Sequence, residues 1–325
     1  MLSRRAFVQQ SILAGLASVA AASEPRPLGS GSADNTKAPP AKMPILDCHT
    51  HFYDPTRPQG VPWPGKDDKL LFRRVLPDEF QKLAAPHGVT GTIVVEASPW
   101  LEDNQWLLDH AAKNPFLVGI VGHLDPFHEQ FGDHLARFAR NRRFRGIRIS
   151  HATVQKGLES RRFRNAMVDL SDRDLELDIN GGPDMPADAA RLARQLPDLR
   201  IVINHAANVR IDGKPPPDAW LKGMRDAARS RHVWCKVSAL VEATGRADGT
   251  APRDLAFYRP TLDALWDIFG ENRLIYASNW PVSNRFATYA TLFTIVRDFF
   301  QAKGDRALRK FFAGNATDAY KPVVP

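Results

Sequence analysis

The sequence has no apolar run long enough to cross a membrane. Its longest, from Ser11 to Ala22, holds about a dozen residues, whereas a membrane-spanning helix needs about 20. No glycine-rich loop follows the first predicted strand, so a dinucleotide site of the Rossmann type is not indicated. Arginines concentrate at 136–148 and 161–164, without the repeated aromatic or glycine pattern of a nucleic-acid module. We therefore expect neither stable membrane insertion nor nucleic-acid binding, and interpret these basic segments as solvated helix faces.

Cysteine is scarce, with only two residues, Cys48 and Cys235. Each alternates with polar residues on a predicted strand, and the two strands are far apart in the sequence. The alternation predicts that both side chains face outward, beneath helices that cover different strands. We expect two buried free thiols and no disulfide.

The N-terminus has the layout of an export signal. Arg4 and Arg5 precede the apolar run, which ends in small residues suited to cleavage near Ala22. This resembles a twin-arginine signal peptide over residues 1–22 more than an amphipathic helix or a membrane anchor. It predicts passage through the twin-arginine (Tat) translocase to the periplasm. Residues 23–43, rich in Pro, Gly and Ser, read as a flexible tether, and cleavage would lower the net charge from +8 to +6.

Short apolar runs recur eight times beyond the tether, and most are separated by amphipathic stretches of helix length. This repetition indicates parallel strands joined by crossover helices. Eight runs suit a closed barrel better than an open doubly wound sheet. We therefore predict a single-domain (β/α)8 TIM barrel over residues 44–322. The runs are 44–51, 91–98, 116–125, 144–150, 175–180, 200–206, 232–239 and 272–279.

Polar side chains close most of these runs, at the barrel end where such folds carry their chemistry. Alternation along the first strand places Asp47, His49 and His51 on one face. The other strand ends supply a mixed set of charged, amide and imidazole groups: Glu96, Arg148, Asn180, His205, Lys236 and Asn279.

The His49 and His51 pair is a candidate metal site. Two imidazoles two residues apart on a strand point the same way, and His205 from a distant strand can complete three nitrogen ligands, with a position left for water. Ten histidines make accidental pairs unsurprising, so the placement on predicted strand ends carries this prediction. Zinc is the natural ion for imidazole ligands.

Several motifs together resemble one family. Asp47 to His51 reads DCHTH, Asn204-His205 ends the sixth run, Lys236-Val237-Ser238 ends the seventh, and Ser278 to Val282 reads SNWPV. Their order resembles the amidohydrolase-2 branch of the metal-dependent hydrolases, and within it the sugar-lactone and pyrone-dicarboxylate lactonases. The resemblance implies a (β/α)8 barrel that hydrolyses a lactone or related carboxylic ester with an activated water. Some members of this branch manage without a tightly bound metal, so a metal-free site stays an alternative.

Two positions depart from the family pattern. Arg148 stands where many members have a Lys or Glu that bridges two metals, and a guanidinium cannot ligate a cation, so we expect at most one ion. Asn279 stands where the family has an Asp that accepts the proton of the attacking water. A carboxamide is a poor base.

Three interpretations of Asn279 stay open. In the first, another carboxylate is the base, with Glu96 preferred and Asp47 next; Glu96 could instead simply neutralise Arg148 or Lys236. In the second, a metal-bound hydroxide attacks and Asn279 only positions it. In the third, the barrel no longer hydrolyses its ligand, and is a solute-binding protein or a decarboxylase of a small carboxylic acid.

The remaining candidates concern the substrate, which we expect to be an anionic or polyhydroxylated lactone. Arg148 could clamp a carboxylate and Lys236 could stabilise an oxyanion, or each could form an internal ion pair. Trp63, in a proline-rich loop after the first strand, could stack on the ring or merely pack the loop. Asn180 completes the predicted substrate-binding set. Self-association is left open.

Overall fold

A computed structural model of the chain describes residues 43–323. Within that range the chain forms one eight-stranded parallel sheet whose spatial order follows the sequence, β1 to β8. The predicted (β/α)8 barrel is confirmed. The strands are β1 Ile45–Thr50, β2 Val89–Val95, β3 Leu117–Gly122, β4 Phe144–Ser150, β5 Glu176–Asn180, β6 Arg200–Ile203, β7 Val233–Val237 and β8 Leu274–Tyr276.

Helices follow the strands and cover the outside of the barrel. Four of them begin at a Ser, Thr or Asp whose side chain accepts a backbone N–H of the first turn, namely Ser150, Ser160, Asp254 and Thr288. The helices in residues 43–323 are α1 Pro77–Ala84, α2 Leu101–Lys113, α3 Phe131–Ala139, α4 His151–Gly157, α5 Arg161–Asp172, α6 Met185–Gln195, α7 Asp218–Ala228, α8 Leu255–Phe269, α9 Tyr289–Ala302, α10 Asp305–Arg309 and α11 Asn315–Tyr320.

The barrel closes between β1 and the segment that follows β8. The His51 N–H donates to the Trp280 carbonyl at 2.9 Å, and the Asn279 N–H donates to the His49 carbonyl at 2.9 Å. These two bonds place Asn279 directly beside the predicted histidine pair.

The alternation of inward-facing and outward-facing side chains along β1 is interrupted by a register shift in its pairing with β2. Asp47 pairs with Thr92 but Thr50 pairs with Val94, so three steps on β1 match two on β2. Cys48 therefore joins the small apolar cluster inside the barrel, and the prediction that it faces outward was wrong. Cys235 lies in the large cluster between strands and helices, as predicted. Both thiols are buried and free, as expected.

The end of the chain covers the opposite mouth of the barrel. Arg145 and Arg200 each donate from Nε to a carbonyl of this segment, at Tyr320 (2.8 Å) and Ala319 (2.7 Å). The Tyr320 ring points into the barrel, where its hydroxyl donates to Asp178 Oδ1 at 2.7 Å. Within residues 43–323, this segment therefore covers the floor of the barrel.

The predicted segment boundaries are only partly covered. The signal peptide at 1–22 and the tether, up to Lys42, lie outside the described residues and stay predictions. Between residues 43 and 323, no helix is long and apolar enough to span a membrane.

Candidate active site

A cavity of about 580 Å³ opens at the C-terminal ends of the strands. It is lined by seven of the nine predicted site residues: His51, Trp63, Glu96, Arg148, Asn180, His205 and Asn279. The other two, His49 and Lys236, are fully buried beneath it. The structure thus brings the predicted set together around one cavity, while the role of each residue stays a prediction.

Backbone strain concentrates at this rim. Six residues that are not glycine have left-handed φ angles between 48° and 60° directly after β6, β7 and β8: His205, Ala206, Ala207, Asn208, Ala239 and Asn279. Such conformations cost of the order of 1–3 kcal/mol each and persist where the surroundings hold them. The Trp220 indole supplies one such restraint, since it donates to the Ala206 carbonyl at 2.9 Å. The strained turns aim His205 and Asn279 at the cavity.

The three histidines face one another with their Nδ1 atoms engaged. His51 Nδ1 lies 2.9 Å from the Val95 carbonyl, and His205 Nδ1 lies 2.8 Å from the Ser238 hydroxyl. Nε2 of His51 lies 3.2 Å from Nε2 of His49, and the ring centroids of His49 and His205 are 4.3 Å apart. The bond to the Val95 carbonyl fixes the proton of His51 on Nδ1, so its Nε2 lone pair points toward the other rings.

All three imidazoles are held neutral. Burial is the main cause that lowers the pKa of His51 to about 3, and the charge of Arg148 adds to it. Burial and the charge of Lys236 likewise hold the pKa values of His49 and His205 well below the ordinary range. Neutral imidazole is the form that binds a metal or accepts a hydrogen bond.

The donor set suits one divalent ion chemically. Two nitrogens 3.2 Å apart match the spacing of two ligands at Zn–N distances of roughly 2.0–2.1 Å. The tautomer of His51 also fits, but His49 Nδ1 lies 3.3 Å from Lys236 Nζ. An ammonium that donates to Nδ1 leaves the proton on Nε2, so His49 becomes a ligand only when Lys236 donates elsewhere. Among residues 43–323, no three His, Cys, Asp or Glu side chains already stand in metal-binding geometry.

Lys236 lies inside the barrel and not at the cavity surface. Its ammonium is fully buried and pairs with the equally buried Asp178 at 2.5 Å. This geometry matches the internal ion pair that the sequence left open, and Lys236 is not among the residues that line the cavity. Its contact with the histidine cluster is to His49, whose Nδ1 lies 3.3 Å from Lys236 Nζ.

Glu96 and Arg148 face each other across the cavity wall. Arg148 Nε donates to Glu96 Oε1 at 2.8 Å, and a second guanidinium nitrogen donates to the Glu96 backbone carbonyl at 2.8 Å. The ion pair that was the alternative interpretation of Glu96 is therefore present. As a base, Glu96 would have to leave this pair.

Asp47 is not part of the cavity. Because of the irregularity in β1, its carboxylate points outward, where it accepts the Ser278 N–H at 2.9 Å and the Tyr289 hydroxyl at 3.3 Å. Burial raises its pKa to about 6. The expectation that Asp47 shares a face with the histidines was wrong, and its role as second-choice base has no support from position.

Glu242 is the functional candidate that sequence reasoning missed. It begins a short 3-10 turn, Glu242–Thr244, just beyond β7, and lines the same cavity. Its Oε1 accepts the Asn279 side-chain N–H at 3.0 Å. Burial raises its pKa to about 7. The one available signal was an acid that follows the apolar stretch Ala239-Leu240-Val241.

Polar groups line the outer part of the cavity. The Asn208 side-chain amide donates to Asn180 Oδ1 at 3.3 Å and to the Gly181 carbonyl at 2.8 Å. Arg285 pairs with Asp68 at 2.5 Å and contributes to the lining. Trp63 packs edge-on against His51, with ring centroids 5.9 Å apart. The cavity therefore combines one indole wall with several hydrogen-bonding groups suited to a hydroxylated ring.

A parallel barrel with three neutral imidazoles and acidic side chains at the ends of its strands is the arrangement of a barrel hydrolase. The sequence profile of the amidohydrolase family matches residues 46–321. The chain belongs to that family, which confirms the predicted resemblance.

Three relatives show how far the similarity extends. An L-fucono-1,5-lactonase of Burkholderia ambifaria is 32% identical over 288 residues, covering 85% of this chain and 95% of that protein. An L-fucono-1,5-lactonase of Burkholderia multivorans is 27% identical, covering 86% and 97%. A crystal structure of a Burkholderia multivorans amidohydrolase with bound zinc has a TM-score of 0.76 at 25% identity, covering 86% and 99%.

Proposed function

We propose that this protein hydrolyses the lactone of a sugar acid, opening the ring to the hydroxy acid. The observation that carries the proposal is the cavity, in which neutral imidazoles lie beside an indole wall and a ring of hydrogen-bonding groups. The similarity to two L-fucono-1,5-lactonases over nearly their whole length supports the same substrate class.

The position of each cavity residue indicates which part of the lactone it contacts. Trp63 offers an apolar face to the lactone ring, while Asn180 and Asn208 offer amides to its hydroxyls. Arg148, held by Glu96, presents its remaining N–H groups to the cavity, where they can orient a carbonyl or carboxylate oxygen. Positioning of this kind holds the ring carbonyl near an attacking water.

We further propose one divalent ion, zinc, held by His49, His51 and His205. When bound, such an ion polarises a carbonyl and lowers the pKa of a bound water. The imidazole donor set and the bound zinc of the Burkholderia multivorans structure support this choice. The Lys236 contact to His49 opposes it, and a metal-free site is the alternative.

The test is turnover on a panel of aldonolactones that includes L-fucono-1,5-lactone, measured beside metal analysis of the same preparation. We expect turnover well above spontaneous opening and about one zinc ion per chain under the metal proposal. Asn180→Ala should raise KM roughly tenfold, because a hydrogen bond to substrate is worth about 1.4 kcal/mol. Lys222→Ala, on the exposed face of α7, is the matched control.

Absence of turnover on every lactone in the panel would defeat the hydrolase proposal and favour a binding protein. Zinc content near zero with full turnover would support the metal-free alternative.

We propose that the protein is exported to the periplasm through the Tat translocase, on the strength of Arg4 and Arg5 before the apolar run. Fractionation of cells that produce the full chain tests this, and a cytoplasmic pool alone would contradict it.

A further inference from the structure

One oxygen of Glu242 is buried and has no partner. Oε1 accepts the Asn279 amide, but Oε2 makes no hydrogen bond to any residue in the range 43–323. An unpartnered buried carboxylate oxygen is costly and rare in folded proteins. Glu242 lines the cavity but Oε2 has almost no exposed surface, so a rotation of the carboxylate is needed to bring this oxygen to a ligand in the cavity.

The surroundings of Glu242 differ from those of Glu96. Glu96 is neutralised by Arg148 at 2.8 Å, whereas Glu242 forms no ion pair with a described lysine or arginine. The groups that face it are Asn279 after β8 and Tyr258 on α8, with His51, His205, Arg148 and Arg285 elsewhere on the cavity wall. The Tyr258 hydroxyl donates its hydrogen bond to the Pro252 carbonyl at 2.7 Å, so it does not donate to the Glu242 carboxylate.

We propose that Glu242 is the catalytic base of this enzyme, moved from the end of β8 to the turn after β7, and that Asn279 is its positioning residue. The proposal rests on the hydrolase function proposed above. It explains why a carboxamide stands at position 279. The Asn279 amide donates to Glu242, whereas an Asp there would place a second carboxylate about 3 Å away and repel it.

The step balances with water as the only co-reactant. The water oxygen bonds to the lactone carbonyl carbon while one of its O–H bonds breaks and the proton passes to the Glu242 carboxylate. The tetrahedral intermediate then collapses, the bond between the carbonyl carbon and the ring oxygen breaks, and Glu242 returns the proton to that oxygen. The product is the hydroxy acid, which ionises in solution, and Glu242 is again a carboxylate.

The acid-base chemistry of Glu242 agrees with this role. Burial raises its pKa to about 7 and the Asn279 hydrogen bond opposes the rise. A base with a pKa near the working pH combines a useful ionised fraction with a strong affinity for the proton. The carboxylate form is the active one, so kcat/KM should rise with pH and level off above about 7.

The experiment compares pH profiles of lactone hydrolysis for the wild type and Glu242→Gln. We expect Glu242→Gln to lose roughly 10²–10⁴-fold in kcat and to lose the rise near pH 7. Glu242→Asp should recover part of the rate with the rise retained. Glu129→Gln, an exposed acid, is the matched control and should behave as wild type. Thermal unfolding checks that each variant is folded.

Asn279→Asp tests the positioning role. The added carboxylate should move the rise in kcat/KM to higher pH and lower the rate at pH 7, with little change in KM. A gain of activity in Asn279→Asp would overturn the assignment, because the base would then belong at position 279.

The outcomes separate the two proposals. If the wild type turns over lactones and Glu242→Gln keeps its rate and its pH profile, the base assignment is wrong and the hydrolase function stands. If Glu96→Gln abolishes the rise while Glu242→Gln does not, Glu96 is the base. If the wild type opens no lactone, both proposals fall together.

Discussion

At the scale of single residues, the centre of the barrel is a chain of buried polar contacts. The Tyr320 hydroxyl and the Lys236 ammonium both donate hydrogen bonds to the Asp178 carboxylate, and Lys236 Nζ lies 3.3 Å from His49 Nδ1. This series of contacts extends from the floor of the barrel to the candidate metal site. The pKa of the neighbouring Glu176 is raised well above its ordinary value by burial and by the Asp178 charge, so Asp178 is the member that balances Lys236.

Lys236→Met should destabilise the protein by about 3–5 kcal/mol, because the substitution leaves Asp178 as an unpaired buried charge. Urea denaturation of the purified variant measures the loss. Combining it with Asp178→Asn removes both charges and should recover most of the stability. A single variant as stable as the wild type would show that the ion pair contributes nothing.

The same scale explains why Glu242 was missed and Asn279 was not. Asn279 ends an apolar strand, where a polar residue stands out in the sequence. Glu242 lies beyond β7 in a turn that no periodicity predicts, and its proximity to Asn279 exists only because β7 and β8 are neighbours in the barrel.

At the scale of elements, helix α9 supports the site from outside. Its first residue, Tyr289, bonds to Asp47 and to the Tyr276 hydroxyl of β8. The helix begins at Thr288, whose hydroxyl accepts the Thr291 N–H at 3.2 Å. The start of α9 therefore fixes where the Tyr289 hydroxyl lies relative to β1 and β8.

Thr288→Ala should cost about 1 kcal/mol of stability, since it removes this N-cap. Thermal or urea unfolding measures the change, and Thr288→Ser, which keeps the hydroxyl, is the control. Equal losses in the two variants would indicate that packing of the methyl group, and not the cap, accounts for the effect.

The irregularity in β1 shows where pattern reasoning has its limit. Strict alternation predicts Asp47 inward and Cys48 outward, and the structure has them reversed. One extra residue in a strand reverses the inward or outward direction of all side chains on one side of that residue along the strand. His49 lies within the register shift between Asp47 and Thr50 and His51 follows it, and both still face the site.

At the scale of the whole molecule, the barrel is open at one end. The C-terminal segment closes the floor through Arg145 and Arg200, and Tyr320 fills the interior beneath the site. The cavity and the left-handed residues that follow β6, β7 and β8 lie at the opposite end. The candidate site and the covered floor therefore lie at opposite ends of the barrel.

Tyr320→Phe should lower the free energy of unfolding by roughly 1–3 kcal/mol, because a buried oxygen of Asp178 loses its hydrogen-bond donor. Chemical denaturation measures the effect. Lys321→Ala removes only an exposed pair with Asp174 and should change stability by less than about 1 kcal/mol. Similar values for the two variants would argue against a structural role for the Tyr320 hydroxyl.

The sequence by itself determined the eightfold repeat, the family, and the residues that end the strands. These are properties of local periodicity and of motif order, and seven of the nine predicted side chains line one cavity. Only the tertiary structure decided which charges pair with each other. Lys236 pairs with Asp178, 58 residues away in the sequence, and Glu242 accepts a hydrogen bond from Asn279, 37 residues away. These contacts form because the barrel brings together strands whose register and irregularities no local sequence pattern encodes.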